Sequence, residues 1–446
     1  MQTHIPDGEG MYRIVIVGGG AGGLELATLL GDTLGKRKQA HITLIDKNLT
    51  HIWKPMLHEI ASGSLDYTMH EVDYLAQAHG HHFRYRIGAM SSIDRKQKLV
   101  FVDAHTDEEG QTVTRQRSFA YDTLVVAIGS RTHDFGIPGV AEYAIQLDTA
   151  EQAQRFHRKL VNACIRAHAQ DEPLQSGQLQ VAIIGAGATG VELSAELHKS
   201  IRTLVDYGLE RIDADRDVRL NLIEAAPRIL SALPERIAGE AMRILQRLKV
   251  EVHTNARVSA VLPDGVQLAS GEFIPAELVV WAAGIRSFVC LQHMDGLEIN
   301  DINQLVVKPS LQTTLDEHVF AFGDCAAAAW LGKPAGTLVP PRAQAAHQQA
   351  LHLARQIRNQ IEGKPLEDFH YQDFGSLVSL GENRAVGGLM GNLAKGTMFV
   401  EGYLARFMYN MLYKKHQLGL HGFWKVALDT VDGMIRRSTT PRIKLH

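Results

Sequence analysis

Two glycine triplets with the spacing G-x-G-x-x-G are the residues of this 446-residue sequence that point most directly to chemistry. They are Gly18, Gly20 and Gly23 in the first triplet and Gly185, Gly187 and Gly190 in the second. An apolar run precedes each triplet and an apolar stretch follows it, which predicts a strand, a tight turn and a helix. The first glycine permits the turn, the second lets a pyrophosphate approach the backbone, and the third lets the helix pack on the strand. Since the free N–H groups of the helix would face the anion, the sequence predicts two dinucleotide sites.

A carboxylate ends the next predicted strand after each triplet. Asp46 lies at the end of "AHITLID", and Glu224 follows "VRLNLI". An acid at this place binds a ribose hydroxyl in dinucleotide-binding units, although either acid alone would also fit an ordinary surface residue. Glu224 would repel a 2′-phosphate, and three residues separate it from Arg228, so we expect NADH rather than NADPH at the second triplet. The first triplet is then predicted to bind FAD.

The composition is that of a globular protein with two or three domains. Apolar residues make up 45% of the chain and charged residues 21%, which excludes disorder as the main state. A formal net charge of −3 gives no reason to expect nucleic acid as a partner. The N-terminus resembles no secretory signal, and no apolar run is long enough to span a bilayer, so we expect a cytoplasmic chain.

Three further predicted strands end in small residues. "FAYDTLVVAIGSR" contains Gly129 and "ELVVWAAGIR" contains Gly284, as expected where the chain crosses between two nucleotide-binding domains. "TTLDEHVFAFGDCA" leads to Gly323 and Asp324. Together with the two triplets, this layout resembles that of the flavoproteins with two dinucleotide-binding domains. The resemblance implies that Asp324 contacts the ribityl and phosphate region of FAD.

Four segments resemble more closely the type II NADH:quinone oxidoreductases, which are single-subunit NADH dehydrogenases that do not pump protons. They are "HIWKPMLHEIASGSLD", "GATGVELSAELH", "VPPRAQAAHQQA" and the ending "TTPRIKLH". The resemblance runs from Tyr12 to His446 and implies FAD, NADH, a membrane quinone as electron acceptor in a respiratory chain, and peripheral attachment to the cytoplasmic side of the inner (plasma) membrane. Lys54, Gly129 and Gly284 are predicted to contact the cofactors.

Few catalytic side chains are expected, because cofactors carry hydride chemistry. Glu192 should lie in the first turn of the helix after the second triplet, where the helix dipole alone would account for it. The resemblance places it at the contact between nicotinamide and flavin. Gln344 and Gln348 would share a helix face with His347 nearby. Spacing alone favours a solvated polar face, whereas the resemblance matches Ala-Gln-x-x-His-Gln to the quinone site, with His347 or water as the source of a proton.

The three cysteines carry no redox pattern. Cys164, Cys290 and Cys325 form neither a C-x-x-C pair nor a zinc-binding cluster. A disulfide-reductase flavoprotein would need a paired cysteine near the flavin, and a sulfide:quinone oxidoreductase would need two well-separated cysteines. We therefore expect three buried apolar side chains, and no metal site.

The C-terminal region predicts two amphipathic helices, in "YLARFMYNMLYKKH" and "LHGFWKVALDTVDGMI". Basic residues are concentrated there: Lys414, Lys415, Arg436, Arg437, Arg442 and Lys444. This pattern fits helices lying on an anionic lipid surface, and the alternative is docking on the protein itself or in a homodimer. A quinone dissolved in the bilayer favours the membrane.

The predicted fold is α/β, with two Rossmann-like dinucleotide-binding domains and a C-terminal membrane-associating helical module. The predicted ranges are 11–140 and 300–390 for a split FAD domain, 141–299 for the NADH domain and 391–446 for the helices. The predicted activity is FAD-dependent oxidation of NADH by a membrane quinone, without proton pumping. Two alternatives stay open: a soluble NADH-dependent flavoprotein reductase, and a redox-sensing flavoprotein that acts through partner binding.

Overall fold

The computed structural model describes residues 3–4, 10–381, 385–389, 398–437 and 443. The helices, in chain order, are α1 Ala21–Leu30, α2 Leu57–Ser62, α3 Tyr74–Gly80, α4 Val140–Tyr143, α5 Ala150–Ala169, α6 Ala188–Asp206, α7 Glu235–Arg247, α8 Ala343–Ile361 and α9 Gly402–Arg437. The strands of the larger sheets are β1 Thr3–His4, β2 Tyr12–Val17, β3 Ala40–Asp46, β4 Arg84–Ile87, β5 Met90–Asp94, β6 Leu99–Val102, β7 Arg117–Ala120, β8 Thr123–Val126, β9 Ala144–Gln146, β10 Gln180–Ile184, β11 Arg219–Ile223, β12 Glu251–His253, β13 Val258–Leu262, β14 Gly265–Leu268, β15 Phe273–Pro275, β16 Leu278–Trp281, β17 Gln312–Thr313, β18 Asp316–Ala321, β19 Gly375–Ser379, β20 Ala385–Leu389 and β21 Met398–Glu401.

The first of two compact units comprises Met1–Trp53, Glu71–Arg131 and Ile285–Gln372. Its main sheet has the strand order β17-β18-β8-β2-β3-β4, and all neighbours are parallel except β17 and β18. The central strands are almost wholly buried apolar runs, as is typical of parallel strands covered on both faces. Helix α1 follows β2 and packs against α8. A smaller sheet with the order β1-β7-β6-β5 belongs to the same unit.

The second unit comprises Lys54–His70, Thr132–Gly284 and Asp373–His446. Its main sheet is parallel throughout, in the order β9-β16-β10-β11-β12, with α6 following β10. Two antiparallel sheets accompany it, β13-β14-β15 and β19-β20-β21. Helix α5 begins at a capping box in which Thr149 and Gln152 satisfy each other's backbone N–H groups. The core of this unit includes the fully buried Trp281, whose indole N–H donates to the carbonyl of His133.

The predicted α/β class with two Rossmann-like sheets is confirmed, but the compact units have other ranges than the predicted domains. Residues 54–70 group with the second unit because α2 packs on α5 and α6, where Leu57 and Ile60 are buried. The C-terminal helices also group with this unit rather than standing apart. An apolar helix face shows that a segment is buried, but not which partner buries it.

Helix α9 consists of two helical segments, as the sequence predicts, but the break between them lies inside the second predicted helix, residues 420–435, rather than before it. They meet at Gly422, whose backbone leaves the helical region with φ +73° and ψ 170°. Within the described part of the chain, no helix has the length and apolar character needed to cross a membrane. Of the predicted basic cluster, Arg442 and Lys444 lie outside the described residues.

Candidate functional site

The first glycine triplet forms a cradle at the end of β2 in the first unit. Gly18 has φ +102°, and its N–H donates to the carbonyl of Ile45 at 2.8 Å. A Cβ at Gly18 would collide with the carbonyl of Ala127, and one at Gly23 would collide with the carbonyl of Gly18. Gly20, by contrast, caps α1 and has nothing within 4 Å of a Cβ position. The cradle is thus closed where strand and helix pack and open at the helix N-terminus, which fits a pyrophosphate.

The second triplet repeats this geometry in the second unit. Gly185 has φ +101°, and its N–H donates to the carbonyl of Ile223 at 2.8 Å. A Cβ at Gly190 would collide with the carbonyl of Gly185, whereas Gly187 caps α6 beside open space. Each unit therefore has its own glycine turn and open helix N-terminus, a geometry that fits a dinucleotide.

The two predicted ribose-binding acids are held in the same way. Asp46 accepts from the N–H of Gly19 at 2.6 Å and of Asn48 at 2.8 Å. Glu224 accepts from the N–H of Ala186 and of Ala226, both at 2.8 Å. Burial raises the pKa of Asp46 above its ordinary value, although these backbone N–H groups oppose the rise. In both units the carboxylate is thereby fixed beside the glycine turn.

Arg228, the cation nearest in sequence to Glu224, is engaged elsewhere. Its guanidinium donates to the carbonyls of Leu230 at 3.2 Å, Leu233 at 2.9 Å and Ser231 at 2.7 Å. A guanidinium held by three carbonyls of the following turn is not presented toward a 2′-phosphate. Local geometry and charge at this turn therefore agree with the expected preference for NADH.

The Gly-Asp turn of the first unit follows β18. Gly323 has φ +71°, and Asp324 accepts a hydrogen bond from the hydroxyl of Ser130 at 2.9 Å. The Asp324 carbonyl accepts from Gln304 at 2.9 Å and from Ser287 at 3.2 Å. These bonds fix both the backbone and the carboxylate of Asp324. Gly129, one residue before Ser130, has φ +71° and open space at its Cβ position.

Lys54 and Gly284, the other predicted cofactor contacts, lie in the second unit. The Lys54 ammonium is 3.7 Å from a carboxylate oxygen of Asp148 and remains about half exposed. Asp148 also accepts two hydrogen bonds from Thr132, one of them from its backbone N–H. Gly284 has φ +66°, and a Cβ there would collide with the ring of Phe135.

Glu192 lies in the second turn of α6, so the prediction that it lies in the first turn is wrong. The helix begins at Ala188, directly after the third residue of the glycine turn, which makes Glu192 its fifth residue. It is only 6% exposed. One carboxylate oxygen accepts from the N–H of Ser379 at 2.9 Å, and the other is 3.6 Å from Nδ1 of the buried His58. Helix-dipole stabilisation in a first turn therefore does not account for Glu192.

The Ala-Gln-x-x-His-Gln motif forms the start of α8 in the first unit, and its polar side chains differ in environment. Gln348 exchanges two hydrogen bonds with the backbone of Gln372, donating at 2.8 Å and accepting at 3.0 Å. Nδ1 of His347 lies 2.8 Å from a carboxylate oxygen of Glu25 on α1. Gln344 is half-buried in the first turn.

The partners of these side chains were missed at the sequence level. Glu25 is an acid within the apolar run "GLELATLL", and His58 and Glu59 interrupt the apolar face of α2. A charged residue inside an apolar helix is the sequence signal for such a pair, because a buried charge is unfavourable unless another group pairs with it.

The cysteines carry no disulfide among the described residues. Cys164 and Cys325 are buried, as predicted, whereas Cys290 is partly exposed. Burial raises the pKa of the Cys325 thiol to about 12 and that of Cys164 to about 11, so neither is a ready thiolate at neutral pH.

Comparisons with known proteins agree with this geometry. Residues 12–350 match the pyridine nucleotide-disulphide oxidoreductase family. A type II NADH:quinone oxidoreductase from Haemophilus influenzae is 43% identical over 98% of this chain and 100% of the relative. One from Staphylococcus aureus is 30% identical over 86% of this chain and 91% of the relative. The solved structure of NDH2 from Plasmodium falciparum in complex with NADH shares the fold, with a TM-score of 0.80, 21% identity and coverage of 98% and 100% of the two chains.

The fold and the two nucleotide turns define a flavoprotein-type pyridine nucleotide oxidoreductase. Within that class, the chain belongs to the type II NADH:quinone oxidoreductase family, and it is an oxidoreductase. The resemblance found in the sequence is confirmed.

Proposed function

We propose that the chain oxidises NADH and passes the two electrons, through a bound FAD, to a quinone, without pumping protons. The observation that carries the proposal is the duplicated cradle, in which each unit combines an open helix N-terminus with an acid fixed beside the turn. When bound, a flavin accepts a hydride and passes the electrons on. Two dinucleotide sites in one chain suit a reaction that joins a nicotinamide donor to a flavin.

Each unit is assigned a different cofactor. The glycine turn of the first unit, with Asp46, Gly129 and Asp324, would hold FAD. The turn of the second unit, with Glu224, would hold NADH and select against a phosphate on the adenosine ribose. Lys54 and Gly284 would make further cofactor contacts from the second unit.

The reaction needs one proton beyond the hydride. NADH gives two electrons and one proton, and reduction of a quinone to a quinol takes two of each. Glu192, shielded from water and held by the N–H of Ser379, would border the nicotinamide and flavin. Gln344, His347 and Gln348 on α8 would line the quinone site, and His347 is the titratable group among them.

Anaerobic rapid mixing of the FAD-loaded protein tests this function. NADH should bleach the flavin absorbance, and a quinone should restore it within a catalytic turnover. A soluble reductase would instead turn over water-soluble acceptors equally well and be insensitive to lipid. A redox sensor would stay reduced after mixing with quinone. Either of these results would contradict the proposal.

We also propose that α9 attaches the protein to a lipid surface, as a peripheral protein on the cytoplasmic side of the inner membrane. Several large apolar side chains of this helix are exposed: Phe407, Met411, Leu412, Leu418, Phe423, Trp424, Leu428 and Val431. Lys414 and Lys415 lie on the same helix and would favour anionic lipid. The competing occupant of this face is a second copy of the chain in a homodimer.

A further inference from the structure

Glu25 is a carboxylate in a place where a charge is costly. It lies in the middle of α1, among Leu24, Leu26 and Ala27, and is only 2% exposed. A buried carboxylate needs a partner to offset the loss of water. Its partner is His347 of α8, whose Nδ1 lies 2.8 Å from the carboxylate and whose side chain is 20% exposed. One end of this pair is therefore sealed in the first unit, and the other end reaches its surface.

The two helices come close enough for this contact because one residue of α1 has no side chain. A Cβ at Gly22 would collide with the ring of Phe322 and would lie 3.1 Å from the carbonyl of Ala346, the neighbour of His347. Two residues after His347 on α8, the side chain of the buried Gln349 accepts a hydrogen bond from the N–H of Gly323 at 2.9 Å. The backbone of α8 is thus fixed at Gly323, and the imidazole ring is fixed at Glu25.

We propose that Glu25 is a positioning residue that sets the tautomer of His347 for proton transfer to quinone, a proposal that rests on the proposed function. A carboxylate only accepts, so the hydrogen between it and the imidazole belongs to Nδ1. Neutral His347 is then held with its second nitrogen, Nε2, as the acceptor on the opposite side of the ring. In the protonated ring both nitrogens carry hydrogen, and Nε2–H is the proton that can leave.

NADH supplies two electrons and one proton under the proposed function. The Nε2–H bond of protonated His347 breaks, an O–H bond forms at a quinone oxygen, and the imidazole becomes neutral in the Nδ1–H form. A proton from water restores the ring for the next turnover. An orienting carboxylate behind a histidine serves in the same way around metal sites and in proton-transfer dyads.

The alternative is that the pair merely ties α1 to α8, and three variants separate the two roles. Glu25→Met removes the acceptor with little change in size. Glu25→Gln removes the charge but keeps an oxygen that can accept from Nδ1. Thr28→Val, on the same helix, is the matched control. Thr28 is equally buried, but its hydroxyl donates to the carbonyl of Leu24 and accepts from Gln77 of α3 at 3.3 Å, and it does not bond to α8.

The first readout is the tautomer itself, measured by 15N NMR of histidine-labelled, FAD-loaded protein and assigned from the signal lost in His347→Gln. We expect the Nδ1–H form in the wild type, in Thr28→Val and in Glu25→Gln, and the Nε2–H form in Glu25→Met. An unchanged tautomer in Glu25→Met would overturn the proposal.

The second readout is the split between half-reactions by rapid mixing. Glu25→Met should slow flavin reoxidation by quinone about 10- to 100-fold, the usual cost of removing an orienting partner, while reduction by NADH stays within about twofold of the wild type. Glu25→Gln should recover most of the loss. Equal slowing of both half-reactions would indicate a purely structural tie and refute the proposal.

Failure of the proposed function gives a different pattern. If quinone does not reoxidise the wild-type flavin, the function is wrong, yet the tautomer still reports whether Glu25 orients His347. If the tautomer shifts as expected but both Glu25→Met and His347→Gln reoxidise at the wild-type rate, the proton-transfer part of the proposal is overturned.

Discussion

Replacing Leu428 and Val431 together by glutamine should detach the protein from lipid without unfolding it. The two residues are three apart on the second segment of α9, and therefore share a helix face with each other and with Trp424. Leu428 is 71% exposed and Val431 57% exposed, so neither contributes much to the core. Glutamine preserves helix propensity at both positions.

The size of the effect follows from the exposed area. Full transfer of a Leu or Val side chain out of water is worth roughly 1.5–3 kcal/mol. Since on average about two-thirds of the two residues is available for lipid, the pair would contribute about 3 kcal/mol to membrane binding. A loss of that size corresponds to an approximately 100-fold weaker partition coefficient.

Vesicle sedimentation gives the partition coefficient directly. The FAD-loaded protein would be titrated with vesicles containing anionic lipid, at low and at high salt. Salt should weaken wild-type binding only in part, because screening acts on the lysines and not on the apolar contacts. The matched control is the double variant Val113→Gln and Leu315→Gln, which removes exposed apolar side chains from the other unit and should leave binding unchanged.

Two results would refute the reasoning. The Leu428 and Val431 variant could bind vesicles as tightly as the wild type, which would place the lipid contact elsewhere. Alternatively, the wild type could stay in the supernatant and elute as a dimer that the variant converts to a monomer. That outcome would assign the exposed face of α9 to a second copy of the chain.

Three further predictions concern the two units separately. Glu224→Gln should narrow the preference for NADH over NADPH about 10-fold, measured as the ratio of kcat/KM values, because the repulsion of a 2′-phosphate is lost; equal wild-type values for the two cofactors would contradict the assignment. Gln344→Leu should slow flavin reoxidation by quinone and leave reduction by NADH intact, as resolved by rapid mixing; loss of the NADH half-reaction alone would place Gln344 elsewhere. Burial acts to raise the pKa of Asp122, but the hydrogen bonds and charge of Arg13 outweigh it and lower the pKa below the ordinary value. The resulting stability is present above the unfolded-state pKa of about 4 and is lost as the pH falls through the folded value, so Asp122→Asn should destabilise by at most about 1 kcal/mol at pH 7 and match the wild type near pH 2 in denaturant titrations.

The features predicted from sequence are those that a few neighbouring residues determine. The glycine turns and the acids Asp46 and Glu224 depend on local spacing, and the structure fixes each acid by N–H groups of its own turn. The amphipathic spacing that predicts two C-terminal helices is local as well, although the break itself lies at Gly422, inside the second predicted helix. Such features can be inferred from one sequence because their partners are close along the chain.

Contacts between segments that are far apart in the chain could not be predicted from the sequence. The backbone of Gln372 engages Gln348, and the buried His58 lies beside Glu192, yet no spacing rule joins these residues. The misplacement of Glu192 by one helical turn is a different case. It depends only on the residue at which α6 begins after Gly187. The types of side chain thus predicted the chemistry, whereas tertiary packing determined which of these side chains already have hydrogen-bond partners within the protein.

The order of strands in the first unit has a consequence for how the protein is made. Strand β8 pairs with β2 on one side and with β18 on the other, but β18 follows it in the chain only after residues 127–315. At roughly 5–20 residues per second, the ribosome needs ~10–40 s to synthesise that interval. During this time the apolar edge of β8, Leu124 to Val126, lacks its second neighbour, and an open edge of this kind is a template for pairing with other nascent chains. A fragment that ends at Arg131 lacks β18 and keeps this edge of β8 open, so we expect it to aggregate more readily than the full chain.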